Sequence, residues 1–397
     1  MGSCRLVRSL HLFISLLTLV ECFQSSTNRC TRRKLPALQS TFDGSASTPT
    51  RRDVLVQSAS LALSGLLVGQ SATAAGAPLN IVMTGANSGI GFESCKQLAA
   101  QGHSIVLACR TLAKAQDAVQ RIRDAGVTTG NLSPAECDLA SLESIQKFAS
   151  TLSVSSIDAL ALNAGLSRNT AATDCARTAD GFELTVGTNH FGHFYLNSLL
   201  LPKVAKDGKI VVTASGVHDP ESPGGAQGVP AHFGDMKGLE TEGRYCEMID
   251  GSPFNADKAY KDSKLANVLF TRELQKRLER QDSTKGITAN CFNPGLIVST
   301  GLFRDQNPLF TKVFDFAATD LLKVGETPPW GGGCLTYMIN TVVDRGAFYS
   351  SPPGSSKYGE AAYGKQFAAS PVSKEARDDA KATRFWELTE KALQKVV

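Results

Sequence analysis

Short apolar runs rich in β-branched residues alternate with helical patterns from residue 79 onward. Because these runs are apolar on both faces and a helical pattern separates them, they predict a parallel sheet covered on both sides by helices. The predicted strands are 80–84, 104–108, 135–138, 157–162, 209–214, 287–293 and 347–350. The predicted helices are at about 89–101, 111–125, 141–153, 177–206 and 257–281. This order of elements predicts a doubly wound α/β fold.

The amino-terminal residues 1–78 show a succession of sorting signals. Arg5 and Arg8 precede an apolar run at 10–20 that is too short to span a bilayer and is typical of a secretory signal peptide. Residues 23–49 are rich in serine, threonine and basic residues with few acids, as transit peptides are. Together the two signals predict a plastid protein that is imported through the secretory system.

A third candidate signal follows the transit-like stretch. Arg51 and Arg52 stand before an apolar run at 61–68 and the small residues 72–75, an order that resembles a twin-arginine signal with its cleavage site. Such a signal would carry the folded protein to the thylakoid membrane or lumen. The alternative is that two arginines precede an apolar helix by chance, and sequencing of the mature amino terminus separates the two cases.

Length and composition favour one catalytic domain over residues 79–397. About 320 residues remain after the presequence, which is enough for a single large α/β domain. The formal net charge is +4, and much of the basic excess lies in the presequence, so no nucleic-acid surface is expected. The ten cysteines include no Cys-x-x-Cys pair, which indicates neither a disulfide framework nor a zinc site.

The first predicted strand leads into a glycine-rich turn that opens the first predicted helix. Gly85 permits the tight turn, and Gly89 and Gly91 allow a diphosphate to approach the backbone, where helix amides and the helix dipole favour negative charge. A strand, a turn and a helix in this order predict a dinucleotide site. The residues expected to contact the cofactor here are Gly85, Asn87, Ser88, Gly89, Ile90 and Gly91.

The end of the second strand selects the form of the cofactor. Arg110 stands where a carboxylate would bind a ribose 2′-hydroxyl, and its forked cation suits a 2′-phosphate, so the cofactor is expected to be NADPH. Lys114 either assists or is an ordinary solvated lysine. Asp138, with Leu139 beside it, follows the third strand and is placed to accept a hydrogen bond from the adenine amino group.

Two further strand ends are expected to contact the cofactor, the fourth near the ribose and the sixth near the nicotinamide and a phosphate. The residues concerned are Asn163, Ala164, Gly165, Pro294, Gly295 and Thr300. Two long connections, 216–256 and 299–333, are predicted to be substrate loops, because connections of this length inside a compact domain are usually functional.

A tyrosine and a lysine on the long predicted helix form the candidate proton donor. Tyr260 and Lys264 are four residues apart, so their side chains share one face of a helix. A cation beside the phenol is expected to lower its pKa, which makes the pair a candidate general acid or base; the alternative is an ordinary surface pair. Ser215, after the fifth strand, can donate to a substrate oxygen, and Asn189 can hold a water next to Lys264.

These residues together resemble the short-chain dehydrogenase/reductase family over about residues 80–350. The resemblance rests on the glycine turn at 84–91 and on Asn163, Ala164, Gly165, Asn189, Ser215, Tyr260, Lys264, Pro294 and Gly295. It implies a Rossmann domain, NADP(H), a Ser-Tyr-Lys catalytic set assisted by an asparagine, and members that often pair through helices.

A narrower resemblance, to the light-dependent protochlorophyllide oxidoreductases, rests on other segments. These segments are 258–264, 293–295, 300–304, 307–310 and the tail 372–387. The tail is the most telling, because ordinary reductases have no reason to share it. The resemblance implies that light drives reduction of the C17=C18 double bond of protochlorophyllide, with hydride from NADPH. Tyr260 would donate the proton or orient the pigment, and Lys264 would bind the nicotinamide ribose.

One residue departs from the narrower family, since Ala266 stands where the photoenzymes carry a cysteine. Either Tyr260 and water suffice, or the chain is a dark NADPH-dependent carbonyl reductase for an apolar plastid substrate such as a retinoid-like or apocarotenoid aldehyde. A pigment-holding protein without turnover would have no use for intact Ser215, Tyr260 and Lys264. The expected partner is thus a small apolar molecule. Peripheral contact with the thylakoid membrane through residues 303–330 and pairing into a homo-oligomer stay open.

Overall fold

The computed structural model describes residues 77–240, 246–298, 318 and 324–396. Within them, one eight-stranded sheet has the order β3-β2-β1-β4-β5-β6-β7-β8, with every neighbouring pair parallel except β7 and β8. The strands are β1 (Asn80–Thr84), β2 (Ser104–Cys109), β3 (Asn131–Glu136), β4 (Ile157–Leu162), β5 (Val204–Thr213), β6 (Thr288–Phe292), β7 (Phe348–Ser350) and β8 (Ala368–Ala369). The doubly wound prediction is confirmed, and the strand order reverses between β1 and β4, where such folds bind ligands.

Helices cover both faces of the sheet. They are α1 (Gly89–Ala100), α2 (Leu112–Asp124), α3 (Leu142–Thr151), α4 (Leu184–Val186), α5 (Gly192–Leu200), α6 (Lys237–Glu240), α7 (Ala256–Glu279), α8 (Pro328–Asn340) and α9 (Asp379–Gln394). Polar N-caps begin several of them: the side chains of Thr111, Ser141 and Asn255 each accept a hydrogen bond from a backbone N–H group three residues later. These caps fix where α2, α3 and α7 begin.

Two apolar layers enclose the sheet, one on each face. Along β1, Val82 belongs to the layer that contains α3, α5, α7 and α9, whereas Ile81 and Met83 belong to the layer that contains α1, α2 and α8. This alternation follows from the two-residue period of a strand. Burial on both faces explains why the strands read as continuous apolar runs in the sequence.

The prediction of one helix over 177–206 is wrong. Arg177 and Glu183 form an isolated antiparallel bridge around Gly181, whose φ is +94°, and helix begins only at Leu184. A π-helical turn, Gly187–Phe191, then precedes α5. The apolar period continues through these irregularities, which is why the sequence pattern did not show them.

The third strand was predicted at 135–138 but begins earlier, at Asn131. β3 lies at the edge of the sheet and contains Pro134, opposite Leu107 of β2. Because an edge strand tolerates proline and polar residues, its sequence looks like a loop.

Helix α8 lies partly within the predicted substrate loop 299–333, where no helix was expected. It begins at Pro328 and contains three consecutive glycines, Gly331, Gly332 and Gly333. They are required by packing, because a Cβ on Gly331 would lie 2.4 Å from Ile90 Cγ2 and one on Gly332 would lie 2.5 Å from Glu93 Cβ. The glycines therefore allow α8 to approach α1 closely.

Several predictions concern residues outside the described part of the chain, namely the presequence 1–76 and parts of both predicted substrate loops, 241–245, 299–317 and 319–323, with Thr300 among them. In the part that is described, no helix combines the length and the apolar character needed to cross a bilayer. The same residues contain no cluster of His, Cys, Asp and Glu that could hold a metal ion.

Candidate active site

The turn after β1 packs directly against the end of β4. Gly85 has a φ of +67°, which glycine adopts without strain. A Cβ on Gly85 would lie 2.8 Å from Ala164 Cα, and a Cβ on Gly91 would lie 2.4 Å from Asn163 Nδ2. The side chain of Ser88, the N-cap residue of α1, makes no capping hydrogen bond. The first amides of α1 therefore stand at the switch point of the sheet, where a diphosphate can approach them.

A hydrogen-bond network ties this turn to its neighbours. The Thr84 hydroxyl oxygen accepts from the backbone N–H of Asn163 at 2.8 Å and of Ala164 at 3.0 Å. His193 Nδ1 donates to the carbonyl oxygen of Asn189 at 3.0 Å, so His193 Nε2 accepts from the Thr84 hydroxyl at 2.9 Å. Burial lowers the pKa of His193 to about 4, and the ring is therefore neutral. His193 links the turn to the π-helical segment.

The arginine predicted to select NADPH is exposed at the end of β2, close to other cations. Cys109, just before Arg110, is buried, and the charges of Lys114 and Arg121 both act on its thiol. Arg121 also donates to the carbonyl oxygen of Asn87 in the glycine turn. Sequence reasoning missed Arg121, because a basic residue on the third turn of an amphipathic helix looks like any solvated position.

The predicted adenine contact lies in a loop that its own groups hold in place. Asp138 Oδ1 accepts from the Ala140 N–H at 3.0 Å, and the Asp138 N–H donates to Ser144 Oγ at 3.0 Å. Leu139 is buried, and its carbonyl oxygen would lie 2.3 Å from a Cβ on Gly192. Both residues thus stand at the carboxyl end of the sheet, and their contact with adenine stays a prediction.

Helix α7 brings the predicted proton donor to the end of β5. Tyr260 is half-buried, and the side chain of Ser215 acts on its phenol. Lys264 is buried, its Nζ donates to the carbonyl oxygen of Thr213 at 3.1 Å, and the same Nζ lies 5.6 Å from the centre of the Tyr260 ring. A Cβ on Gly165 would lie 3.6 Å from this Nζ. The structure therefore brings Ser215, Tyr260 and Lys264 together with the end of β4.

The expected lowering of the Tyr260 pKa is wrong. Burial raises the pKa of the phenol above its ordinary value, and the polar side chain of Ser215 offsets only part of the rise. Burial also lowers the pKa of Lys264 to about 8. Both charged forms lose hydration in this cleft, and the ammonium lies over the ring. At neutral pH the phenol is protonated and the lysine is charged, which is the state that a proton donor needs.

Asn189 is held by its side chain in the π-helical turn. Its Nδ2 donates to the carbonyl oxygen of Leu166 at 2.9 Å and to Ser263 Oγ at 3.0 Å, and its Oδ1 accepts from the Leu166 N–H at 2.9 Å. Both amide protons are engaged, so the predicted hold on a water can use only the second lone pair of Oδ1. Ser263 donates to the carbonyl oxygen of Tyr260 at 2.6 Å. Asn189 thus joins the loop after β4 to the helix that carries Tyr260.

Pro294 and Gly295 form a tight turn after β6. Gly295 has a φ of +88°, and a Cβ there would lie 2.5 Å from Glu326 Cγ. Glu326 is buried, and its carboxylate accepts from the N–H groups of Ser355 at 2.8 Å and Ser356 at 2.9 Å. Glu326, which sequence reasoning missed, therefore packs against Gly295 and helps to hold the turn that is predicted to contact the nicotinamide.

Comparison with known proteins places the chain in a family. A model described as short chain dehydrogenase matches residues 79–227. The chain is also 34% identical to a chloroplastic protochlorophyllide reductase from Cucumis sativus over 323 residues, which is 79% of this chain and 77% of that protein. This chain belongs to the short-chain dehydrogenase family. It is therefore an oxidoreductase.

A second relative and a solved structure give the same result. The chain is 35% identical over 320 residues to a chloroplastic protochlorophyllide reductase from Chlamydomonas reinhardtii, covering 78% of this chain and 76% of that protein. A crystal structure of an uncharacterized protein from Mycobacterium paratuberculosis superposes with a TM-score of 0.56 at 27% identity, covering 80% of this chain and 93% of that one. The predicted resemblance to the dehydrogenase family and, within it, to protochlorophyllide reductases is confirmed. The chloroplast relatives support the predicted plastid location.

In this oxidoreductase, buried charges on α7 fasten the long connection between β5 and α7. Lys258 Nζ lies 2.9 Å from Asp262 Oδ2 and donates to the carbonyl oxygen of His232 at 2.7 Å, while the His232 N–H donates to Asp262 Oδ1 at 3.0 Å. Lys261 donates to the carbonyl oxygen of Val229 at 3.2 Å. Sequence reasoning missed these residues, because charges on a helix usually mark its solvated face.

The carboxyl-terminal tail holds the same connection from its other side. Glu375 Oε1 accepts from the Phe233 N–H at 3.0 Å, and Glu375 Oε2 lies 3.1 Å from His232 Nδ1. The tail that the sequence singled out thus contacts the predicted substrate loop directly.

A disulfide bond joins this connection to the segment after β4, so the expectation that the cysteines form no disulfide framework is wrong for one pair. Cys175 and Cys246 are bonded across a sequence separation of 71 residues. Their spacing gave no signal, because only the fold brings the two loops together. The free cysteines of the described chain are all buried, and they are Cys95, Cys109, Cys137, Cys291 and Cys334.

Replacing both Cys175 and Cys246 with serine is expected to lower the free energy of unfolding. The bond closes a loop of 71 residues, for which the chain-entropy model predicts a loss of about 4 kcal/mol. Denaturant unfolding of the two proteins measures the difference. As the matched control, a dithiol reductant should lower the stability of the wild type to that of the double variant and leave the double variant unchanged. A wild type whose stability survives complete reduction would contradict this role.

Proposed function

We propose that this oxidoreductase uses NADPH and light to reduce the C17=C18 double bond of protochlorophyllide in the plastid. The match to protochlorophyllide reductases carries the proposal, because it spans 79% of the chain. The general family model matches only residues 79–227. The predicted plastid presequence supports the same assignment.

The residues at the switch point fit a dinucleotide that bears a 2′-phosphate. At Gly85 and Gly91 any Cβ would collide with the end of β4 or with the turn itself, so only glycine lets the turn pack here with the first amides of α1 at the switch point, where a diphosphate can approach them. In the proposal, the first turn of α1 holds the diphosphate and Arg110 holds the 2′-phosphate. Lys264 and the turn at Gly295 hold the nicotinamide half. Bound NADPH would supply the hydride for one carbon of the double bond.

Tyr260 provides the proton for the other carbon in this proposal. The raised pKa keeps the phenol protonated at neutral pH, so the proton is available when the hydride has added. Hydride and proton together complete the two-electron reduction. In the proposal, the phenolate that forms accepts a hydrogen bond from Ser215 and faces the ammonium of Lys264. Both interactions offset part of the free-energy cost of placing a phenolate in a cleft with little water.

A dark carbonyl reductase for an apolar aldehyde is the second candidate. The effect of the Ser215 side chain on the Tyr260 phenol favours it, because a carbonyl oxygen placed between the two hydroxyl groups could accept from both. Ala266 also agrees with it. Its methyl group carries no thiol and is fully buried in the apolar layer on the inner face of α7.

Purified protein with NADPH and protochlorophyllide, followed by absorbance in light and in darkness, tests the proposal. The expected result is a red shift to chlorophyllide only in the illuminated sample. Pigment binding without product in light would contradict turnover. NADPH oxidation in darkness by a retinoid-like aldehyde, without any reaction of the pigment, would establish the second candidate instead.

The variant Arg110→Ala is expected to bind NADPH about 10- to 160-fold more weakly and to bind NADH as the wild type does. The reason is that a charge-assisted hydrogen bond to a phosphate contributes about 1.5–3 kcal/mol. Isothermal titration with each cofactor measures both affinities. Arg280→Ala, which removes an exposed arginine at the far end of α7, is the matched control and should change neither. An equal loss for NADPH and NADH would overturn the assignment of Arg110.

A further inference from the structure

His218 connects Ser215 to the carboxyl-terminal tail. It ends the short 3-10 turn Gly216–His218 and is only 2% exposed. Its Nδ1 lies 2.7 Å from the carbonyl oxygen of Ser215, and its Nε2 lies 3.2 Å from the backbone nitrogen of Ser373. The ring packs edge-on against Phe348 of β7, with the ring centres 4.8 Å apart. Both ring nitrogens therefore have a backbone partner.

The two partners fix the chemical form of the ring. A carbonyl oxygen can only accept, so Nδ1 carries the hydrogen; a backbone N–H can only donate, so Nε2 carries none. His218 is therefore a neutral imidazole in a single tautomer. Burial lowers its pKa from the ordinary value, which agrees with a neutral ring.

Through Ser215, His218 is connected to Tyr260, the candidate proton donor. Ser215 lies two residues beyond the last paired residues of β5 and β6, and its side chain acts on the phenol of Tyr260. The His218 N–H also points to the Ser215 carbonyl oxygen, at 3.3 Å, so two donors from one residue hold the same peptide group. Holding this peptide group fixes the path of the chain directly after Ser215, and thereby the position of the Cα that carries the hydroxyl.

We propose that His218 is a positioning residue for proton transfer, which holds Ser215 against Tyr260 through its Nδ1–H and makes the tail at Ser373 part of the active site. This inference rests on the proposed function only in that Ser215 and Tyr260 act together in the reduction. It does not depend on which substrate is reduced. It also gives the carboxyl-terminal tail a role in catalysis, because Ser373 of the tail donates a hydrogen bond to His218.

Two substitutions of His218 separate this role from general support of the fold. Asparagine places its amide nitrogen near the position of Nδ1, so His218→Asn can keep the donor to Ser215 and loses the acceptor for Ser373. Glutamine reaches the position of Nε2, so His218→Gln keeps the acceptor and loses the donor. Each variant gives up one hydrogen bond, and their melting temperatures are expected to fall by similar amounts.

The kinetic result should separate the two variants. We expect kcat to fall at least 10-fold in His218→Gln and to stay within about 3-fold of wild type in His218→Asn, with the NADPH KM unchanged in both. In a Ser215→Ala background, the glutamine substitution should cause no further loss, because the group it positions is gone. Equal losses in both variants, or an additive loss in the Ser215→Ala background, would overturn the proposal.

The assay uses whichever of the two candidate substrates the wild type reduces, so failure of protochlorophyllide as a substrate does not decide this test. A spectroscopic measurement that needs no turnover accompanies it. In full-length protein labelled with ¹⁵N-histidine, His218 should show a protonated Nδ1 and an unprotonated Nε2. The opposite tautomer would overturn the proposal even if the enzyme were fully active.

Discussion

Tyr260→Phe is expected to reduce kcat by about 10²–10⁴-fold while NADPH binds as it does in the wild type. The phenol is the acid that the geometry places beside Ser215 and Lys264, and phenylalanine fills the same volume without a proton to give. Single-turnover absorbance after a light flash measures the chemical step, and cofactor titration measures binding.

The matched control for this prediction is Tyr195→Phe. Tyr195 is a second largely buried tyrosine, on α5, and its loss should leave kcat within about 2-fold of the wild type. A Tyr260→Phe protein that kept more than a tenth of the wild-type kcat would show that another group, or water, delivers the proton.

Lys264→Met is expected to lower kcat/KM by about 10³-fold, since it removes the only cation proposed to face both the phenol and the nicotinamide ribose. Methionine keeps most of the buried volume, so the fold should survive. The pKa of Lys264 is lowered to about 8 by burial, so the ammonium is charged below that pH and neutral above it. The wild-type kcat/KM should therefore fall as the pH rises through about 8.

The pH profile of the Lys264→Met protein provides the control. Its residual kcat/KM should show no fall near pH 8, because the group that titrates there in the wild type is absent. Lys258→Met is unsuitable as a substitute control, since Lys258 holds the substrate loop through Asp262 and His232. A fall near pH 8 that persisted in the Lys264→Met variant would assign this titration to another residue.

The parts of the fold that the sequence predicted are those whose signal is local. β1 and β4 have the predicted boundaries because each is a short apolar run flanked by turn residues. β3 and α8 were not placed correctly, since an edge strand may be polar and a glycine-rich helix depends on a close neighbour. Both depend on tertiary contacts that no sequence window contains.

The candidate site divides in the same way. The glycine turn, Ser215, Tyr260 and Lys264 have fixed places relative to a strand end or a helix face, and the structure brings them together. Arg121 and Glu326 act on the turns from elements distant in sequence, and no spacing indicates them. The disulfide likewise depends on two loops that meet only in the folded chain.

The pKa of Tyr260 shows why a motif alone does not give the electrostatics. Four-residue spacing predicts that a cation lies near the phenol, and it does. The spacing says nothing about how much water the two groups lose, and in this cleft the loss of hydration raises the pKa of the phenol despite the cation. For a reductase this direction is useful, because the acid must hold its proton until hydride transfer.

Transfer of label from NADPH to the pigment tests the central claim most directly. Protein, protochlorophyllide and NADPH deuterated at the transferring position of its nicotinamide ring would be illuminated, and the product analysed by mass spectrometry beside a sample kept in darkness. The account predicts chlorophyllide that carries one deuterium in the illuminated sample and unchanged protochlorophyllide in the dark. Chlorophyllide without the label, or no chlorophyllide at all in light, would contradict it.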